Sequence, residues 1–156
     1  MSQEPNFTNR GVMRGALAVA ACVLPLAAAQ AGGGAFTRDV DDGDLQWAPC
    51  PDFLPEGCEI AVLQGDPSEP NADIFFRLPG GAAADRHWHH SAERMVLVSG
   101  ELQVDYDGQD PVVMRPGTYA YGPAEQPHSA ECRSAEPCVL FIAFEEPVDA
   151  MPGAPE

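Results

Sequence analysis

Residues 81–100 read GAAADRHWHHSAERMVLVSG, and they hold three of the four histidines in a chain of 156 residues. In an extended strand, residues two positions apart project from the same face, so His87 and His89 point together and His90 points away. Glu93 follows shortly after, just before an apolar run of strand length. We therefore predict that His87, His89 and Glu93 converge and ligate a metal ion.

The fourth histidine, His128, precedes another strand-length run, and a closed sheet would bring it beside the other three groups. Three imidazoles and one carboxylate form a mixed nitrogen and oxygen set, which suits a divalent Fe, Mn, Ni, Co or Zn ion. Four protein ligands leave two positions open on an octahedral metal. The pattern therefore favours a site that binds substrate over a sealed structural site.

Short apolar or alternating segments, separated by turn residues, dominate the chain beyond residue 44. Between Glu101 and Tyr106, apolar and polar residues alternate with the period of a half-buried strand. Strands are predicted at residues 59–64, 73–78, 94–98, 101–106, 111–115, 118–121, 127–131 and 138–144. No segment shows a helical stripe longer than one turn, so the predicted class is all-β, a sandwich or barrel.

The first 31 residues are predicted to be a cleaved signal peptide. Arg10 and Arg14 precede the apolar run GALAVAACVLPLAA, and Ala29-Gln30-Ala31 forms a small-x-small cleavage site. The alternative is a lipobox ending at Cys22, which would anchor a lipoprotein through that residue. The protein is therefore expected to be periplasmic or secreted, with no membrane contact after signal cleavage.

Four cysteines remain after the signal peptide, and they form the close pairs Cys50/Cys58 and Cys132/Cys138. An even number of cysteines in an exported chain indicates disulfides, here two local ones. A thiolate metal site is the alternative, but neither pair has the two-to-four-residue spacing of zinc knuckles.

The charge balance excludes some classes of partner. The chain has 24 Asp and Glu against 8 Lys and Arg, all of them Arg, and its formal net charge is −16. Such a surface repels phosphate backbones, so nucleic-acid binding is excluded, and docking on anionic lipid is disfavoured. A small-molecule ligand is predicted instead, with a weak preference for neutral or cationic compounds.

Residues 81–100 match G-x5-H-x-H-x3-E-x6-G at every fixed position, and they resemble the first motif of the cupin superfamily. Residues 117–132, GTYAYGPAEQPHSAEC, resemble the second motif, G-x5-P-x-G-x2-H-x3-N, at Gly117, Pro123 and His128. The wider sequence looks like small exported single-domain cupins related to the cupin domains of anti-sigma factors.

The second motif departs from the family pattern at two positions. Glu125 stands where the family has glycine, which affects the usual turn, and Cys132 stands where it has asparagine. The Cys132–Cys138 disulfide is expected to replace what asparagine does at that strand end.

The resemblance implies a cupin-type β-jelly-roll barrel, placed at residues 45–146. Composition adds a flexible arm at 32–44 and a flexible tail at 147–156. The resemblance also implies one divalent metal inside the barrel, held by His87, His89, Glu93 and His128, and a homodimer. The implied activity is a small-molecule metalloenzyme, dioxygenase-, isomerase- or lyase-like; the alternative is a non-catalytic extracytoplasmic ligand-binding or sensing cupin.

Three further residues are candidates for supporting the metal ligands. Tyr119 and Tyr121 share one face of a predicted strand, where core packing is the simplest role and proton donation to a bound substrate is the alternative. Arg94 follows Glu93 and is interpreted either as a partner of surface carboxylates or as a residue that orients Glu93.

Overall fold

The computed structural model of the chain describes residues 34–156, which fold into eleven β-strands and contain no helix. The strands are β1 (Trp47–Pro49), β2 (Glu59–Gln64), β3 (Asp73–Leu78), β4 (Ala83–Trp88), β5 (Glu93–Ser99), β6 (Leu102–Tyr106), β7 (Val112–Met114), β8 (Tyr119–Gly122), β9 (His128–Cys132), β10 (Cys138–Phe144) and β11 (Met151–Pro152). The all-β prediction is confirmed. The predicted signal peptide and Cys22 lie outside the described residues.

Two antiparallel sheets make up the domain. The six-stranded sheet has the order β1-β2-β3-β10-β5-β8, and the five-stranded sheet has the order β11-β4-β9-β6-β7. This arrangement is consistent with a jelly roll, in which strands adjacent in sequence are distributed over two facing sheets.

The alternation of side chains along the strands produces the core between the sheets. In β5, Glu93, Met95 and Leu97 are buried, whereas the residues between them point outward. In β6, Leu102 and Val104 are buried in the same way. Glu93 therefore enters the interior as part of an otherwise apolar row.

Part of the predicted flexible arm is packed against the domain. Val40, which lies in the predicted arm, packs against a buried cluster formed by Leu45, Ala61, Phe75 and Val139. Val40 and Leu45 therefore cover apolar residues on the outer face of the six-stranded sheet.

Both predicted cysteine pairs form disulfides, Cys50–Cys58 and Cys132–Cys138. The loop closed by Cys50 and Cys58 carries Leu54, which is buried against Ala84. This loop therefore covers one end of the space between the sheets. No helix in residues 34–156 is long and apolar enough to cross a membrane.

The predicted flexible tail contains a strand that the sequence does not predict. Met151 pairs with Trp88 and Pro152 with His87, and the main-chain N–H of Gly153 donates to the carbonyl oxygen of Arg86. A proline is compatible with β11 because this strand lies at the edge of its sheet, where one side of the backbone needs no partner.

Candidate metal centre

The sheet register brings three histidines together. β4 and β9 are antiparallel, and His87 lies directly opposite His128. His89 follows the end of β4 and keeps its side chain on the same side. All three side chains are buried, and one ring nitrogen of each lies within 4.8 Å of those of the other two.

Glu93 approaches the same point from the opposite sheet. Its side chain is buried on β5, with Oε2 3.4 Å from Nε2 of His89 and 3.7 Å from Nε2 of His128. The structure therefore brings all four predicted ligands together. Because the two sheets supply them from different sides, the cluster depends on the closed barrel.

Each histidine ring is oriented by a main-chain carbonyl group. Nδ1 of His87 donates to the carbonyl oxygen of Asp85 at 2.7 Å, and Nδ1 of His128 donates to that of Gln126 at 3.1 Å. Nδ1 of His89 donates to the carbonyl oxygen of Asp149. Since a carbonyl oxygen only accepts, the proton is assigned to Nδ1 in every ring, which leaves the Nε2 lone pairs free to bind a cation.

Burial sets the charge state of the metal-free cluster. Desolvation lowers the pKa of His87 to about 4 and that of His128 to about 3, and it also lowers the pKa of His89. Desolvation, followed by the charge of Asp149, raises the pKa of Glu93 to about 8. At neutral pH the cluster therefore consists of neutral imidazoles and a protonated carboxyl group.

This donor set fits a divalent transition metal. Nε2 of His89 is buried and has no hydrogen-bond partner, a costly state that a bound cation would relieve. Neutral imidazoles are the form that binds metals, and a nearby cation would favour the ionised form of Glu93. Thus His87, His89, Glu93 and His128 are suited to hold one ion.

A cavity of about 160 Å³ opens over the four side chains. Its walls come from both sheets, from the disulfide-closed loop and from the segment before β11. Most of its lining residues are aliphatic or aromatic, and Asp149 is the only acidic lining residue besides Glu93 among residues 34–156.

Tyr106, the last residue of β6, lies close to the cluster, although the sequence does not single it out as a site residue. It pairs with His128 across β6 and β9, and its ring centroid lies 4.9 Å from that of His128. Its hydroxyl is buried without a hydrogen-bond partner. Burial and the neighbouring Glu93 raise the pKa of Tyr106, so its phenol stays protonated and is available as a hydrogen-bond donor.

The structure does not bring Tyr119, Tyr121 or Arg94 to the cluster. The two tyrosines are more than half exposed on the outer face of β8, so their predicted roles in core packing or proton donation are wrong. Arg94 also points outward and donates to Glu145 at 2.7 Å, as its surface interpretation predicts. The inward face of β8 instead carries Ala120, which packs against the core, and Gly122, where the hydroxyl of Tyr106 leaves no room for a side chain.

Two residues that support the cluster are not predicted from the sequence. Asp149 orients His89 through its carbonyl oxygen, and its carboxylate binds the main-chain N–H and the ring of the exposed His90. The hydroxyl of Ser91 is buried and accepts hydrogen bonds from the main-chain N–H groups of Glu145 and Glu146. No local sequence pattern identifies either contact, because each joins segments more than fifty residues apart.

The two departures from the second motif have local explanations. Glu125 adopts a φ of 60°, a conformation that glycine adopts without strain, and its main-chain N–H donates to the carbonyl oxygen of His89 at 2.8 Å. The turn is therefore kept despite the substitution. Cys132 ends β9 and is tied to Cys138, the first residue of β10.

Comparison with known proteins agrees with this architecture. Residues 74–144 match the cupin domain family. The match covers less than half of the chain, and together with the two-sheet fold it supports the resemblance of the two motifs to the cupin superfamily. The closer relation to the cupin domains of anti-sigma factors stays a prediction. No curated protein sequence matches the chain.

Several solved structures share the fold. A DMSP lyase from Ruegeria pomeroyi superposes with a TM-score of 0.59 at 18% identity over 69% of this chain and 60% of that one. The polyketide cyclase from Streptomyces resistomycificus gives a TM-score of 0.61 at 13% identity, covering 74% and 84%. A variant of Bacillus subtilis oxalate decarboxylase gives 0.54 at 21% identity, covering 62% of this chain but only 28% of that one. At these identities the similarity is one of fold.

Metal affinity is expected to rise with pH between about 6 and 8. Glu93, with a pKa of about 8, must lose its proton to bind a cation, so the affinity should increase about tenfold per pH unit below that value. His87 and His128 are already neutral in this range and add no slope. Competition with a chelator for Mn(II) at pH 6, 7 and 8 measures the effect.

The variant Glu93→Gln is the matched control for this pH series because it keeps the shape of the side chain but has no proton to displace. It should bind Mn(II) more weakly and with little pH dependence. A flat profile for the wild type would contradict the protonated, buried state of Glu93.

Proposed function

We propose that the protein is an exported metal-binding cupin that acts as a metalloenzyme on a small molecule, with His87, His89, Glu93 and His128 as the metal ligands. The proposal rests on one observation. One ring nitrogen of each of the three histidines lies within 4.8 Å of the other two, Oε2 of Glu93 lies 3.4 Å and 3.7 Å from Nε2 of His89 and His128, and all four side chains line one cavity. Dioxygenase-, isomerase- and lyase-like reactions are all compatible with it.

A bound metal and the surrounding protein would have different chemical roles. A divalent metal held there would supply Lewis-acid polarisation of an oxygen atom of the substrate. The protein keeps the imidazoles in the Nδ1-protonated form, excludes bulk water through the apolar walls, and holds a phenol proton on Tyr106 near His128. The two disulfides support export, because such bonds persist in oxidising compartments.

Metal analysis of the protein purified from the periplasm tests the proposal most directly. Mass spectrometry should find about one transition-metal ion per chain, and its identity then guides a search for turnover under oxygen and under argon. Less than about one ion per ten chains, even after incubation with Fe(II), Mn(II), Co(II), Ni(II) and Zn(II), would contradict the proposed site.

The second candidate function is non-catalytic binding or sensing of an extracytoplasmic ligand. One observation favours it, since the cavity walls carry few acid–base groups apart from the proposed metal ligands and Asp149. Ligands that raise the melting temperature of the metal-loaded protein without being converted would support this function over catalysis.

A further inference from the structure

We infer that the cavity selects ligands with a small uncharged body that carry their charge only on the oxygen atoms bound to the metal. The inference rests on the proposed function and narrows it to a substrate class. Compact diketones, enediols and phenols belong to this class, whereas ligands with a carboxylate group directed into the cavity do not.

The volume of the cavity limits the size of the ligand. An apolar cavity of about 150 Å³ holds one benzene molecule, and the cavity here measures about 160 Å³. A ligand of about six to eight non-hydrogen atoms therefore fits beside the cluster. On one side the wall is formed by the loop closed by Cys50 and Cys58, through Pro51 and Leu54.

The walls offer contacts to carbon atoms rather than to charged groups. The lining includes Ile60, Ile74, Phe76, Leu102, Leu140 and Ile142, which come from both sheets. A ligand surface that faces these side chains loses its water and finds no hydrogen-bond partner in exchange. For a methyl group this transfer is favourable, and for an anionic oxygen it is strongly unfavourable.

Within residues 34–156, no cationic side chain lines the cavity to compensate an anion there. The chain contains no lysine, and the described residues that line the cavity include no arginine. The six described arginines lie elsewhere: five bind polar side chains, in the pairs Arg77–Glu59, Arg86–Asp107, Arg94–Glu145, Arg115–Glu101 and Arg133–Gln103, and Arg38 lies over the ring of Phe36.

The charge of the chain disfavours anions. Asp149 lines the cavity while its carboxylate binds the exposed His90, and the chain as a whole has a formal net charge of −16. An anionic group away from the metal would therefore be desolvated, unpaired and repelled at once.

Acetylacetone and malonate form a matched pair of probes. Both chelate a metal through two oxygens separated by three carbons, but the two methyl groups of acetylacetone are replaced by two charged oxygens in malonate. The visible spectrum of the Co(II)-loaded protein reports the binding of each. The corrected preference is the ratio of the association constants of acetylacetone and malonate for the protein, divided by the same ratio for aqueous Co(II). It should be at least about 100 in favour of acetylacetone.

The substitution Val148→Arg tests the cause of the selectivity. Val148 is partly buried and lines the cavity, so an arginine there adds the missing cation. The corrected preference for acetylacetone should fall by about tenfold or more. Val112→Arg makes the same change at an exposed position outside the cavity and should leave the preference unaltered.

The outcomes separate this inference from the proposed function. If Co(II) binds at one ion per chain but the corrected preference is below about threefold, or neither probe binds, the ligand class is wrong and the metal site stands. A failure of the wild type to bind Co(II) overturns both.

Discussion

Replacing His128 by alanine is expected to weaken metal binding by about 100- to 1000-fold. Four-ligand zinc sites bind with about 10–16 kcal/mol, so one ligand accounts for about 3–4 kcal/mol. His128 has no substitute nearby, because the residue opposite it in β4 is His87, itself a proposed ligand. Equilibrium dialysis against buffered Zn(II), followed by metal analysis, measures the loss.

The matched control for this experiment is His90→Ala. His90 lies beside a proposed ligand in sequence, but its side chain is 56% exposed and points away to Asp149. It should keep one metal ion per chain. The same loss is expected for His87→Ala, and unchanged affinity in both His87→Ala and His128→Ala would show that the metal binds elsewhere.

Gly100→Ala is expected to destabilise the oxidised protein by about 2–4 kcal/mol. Gly100 has a φ of +84°, which costs other residues about 1 kcal/mol or more. A Cβ atom there would also lie 2.7 Å from Sγ and 2.9 Å from Cα of Cys138, so the disulfide at the start of β10 would have to shift. Overpacking of this kind typically costs a further 1–3 kcal/mol.

Gly108→Ala separates the two contributions. Gly108 has a similar φ of +79°, but a Cβ atom there meets nothing within 4 Å. Urea denaturation should therefore show a loss of only about 1 kcal/mol for this variant. Equal losses in both variants would show that backbone conformation alone, and not contact with Cys138, makes glycine necessary at position 100.

The sequence predicts the four proposed ligands because their positions follow from strand geometry. His87 and His89 share a face through the two-residue period, and Glu93 falls on the inward row of the next strand. The role of His128 depends on the pairing of β4 with β9, and a local sequence pattern cannot predict which strands pair. The motif resemblance supplies that pairing indirectly, because it assigns both segments to one known barrel.

The side of a strand that faces the interior is harder to predict than the alternation itself. Tyr119 and Tyr121 do share a face, but the larger side chains point outward and Ala120 points inward. The side chains that pack against this inward face belong to other strands, as Tyr106 of the other sheet does beside Gly122. The sizes of the residues within one strand therefore do not predict which of its faces is buried.

The C-terminal segment shows a second limit of sequence-based prediction. Residues 147–156 have the composition of a loose tail, yet Asp149 reaches His89 and β11 pairs with β4. These contacts depend on the path of the chain after β10. Composition shows only that proline and glycine have a low intrinsic preference for regular secondary structure. It gives no information about contacts with distant segments.

The orientation of the three imidazoles by main-chain carbonyls has an evolutionary consequence. Every amino acid provides the same carbonyl oxygen, so substitutions at Asp85, Gln126 and Asp149 alter side chains without deleting an acceptor. Substitutions around the cluster can therefore change its charge and polarity during evolution, while the main chain keeps the imidazole rings in the same orientation. A barrel of this kind can acquire new ligands by mutation of its walls and still keep its metal.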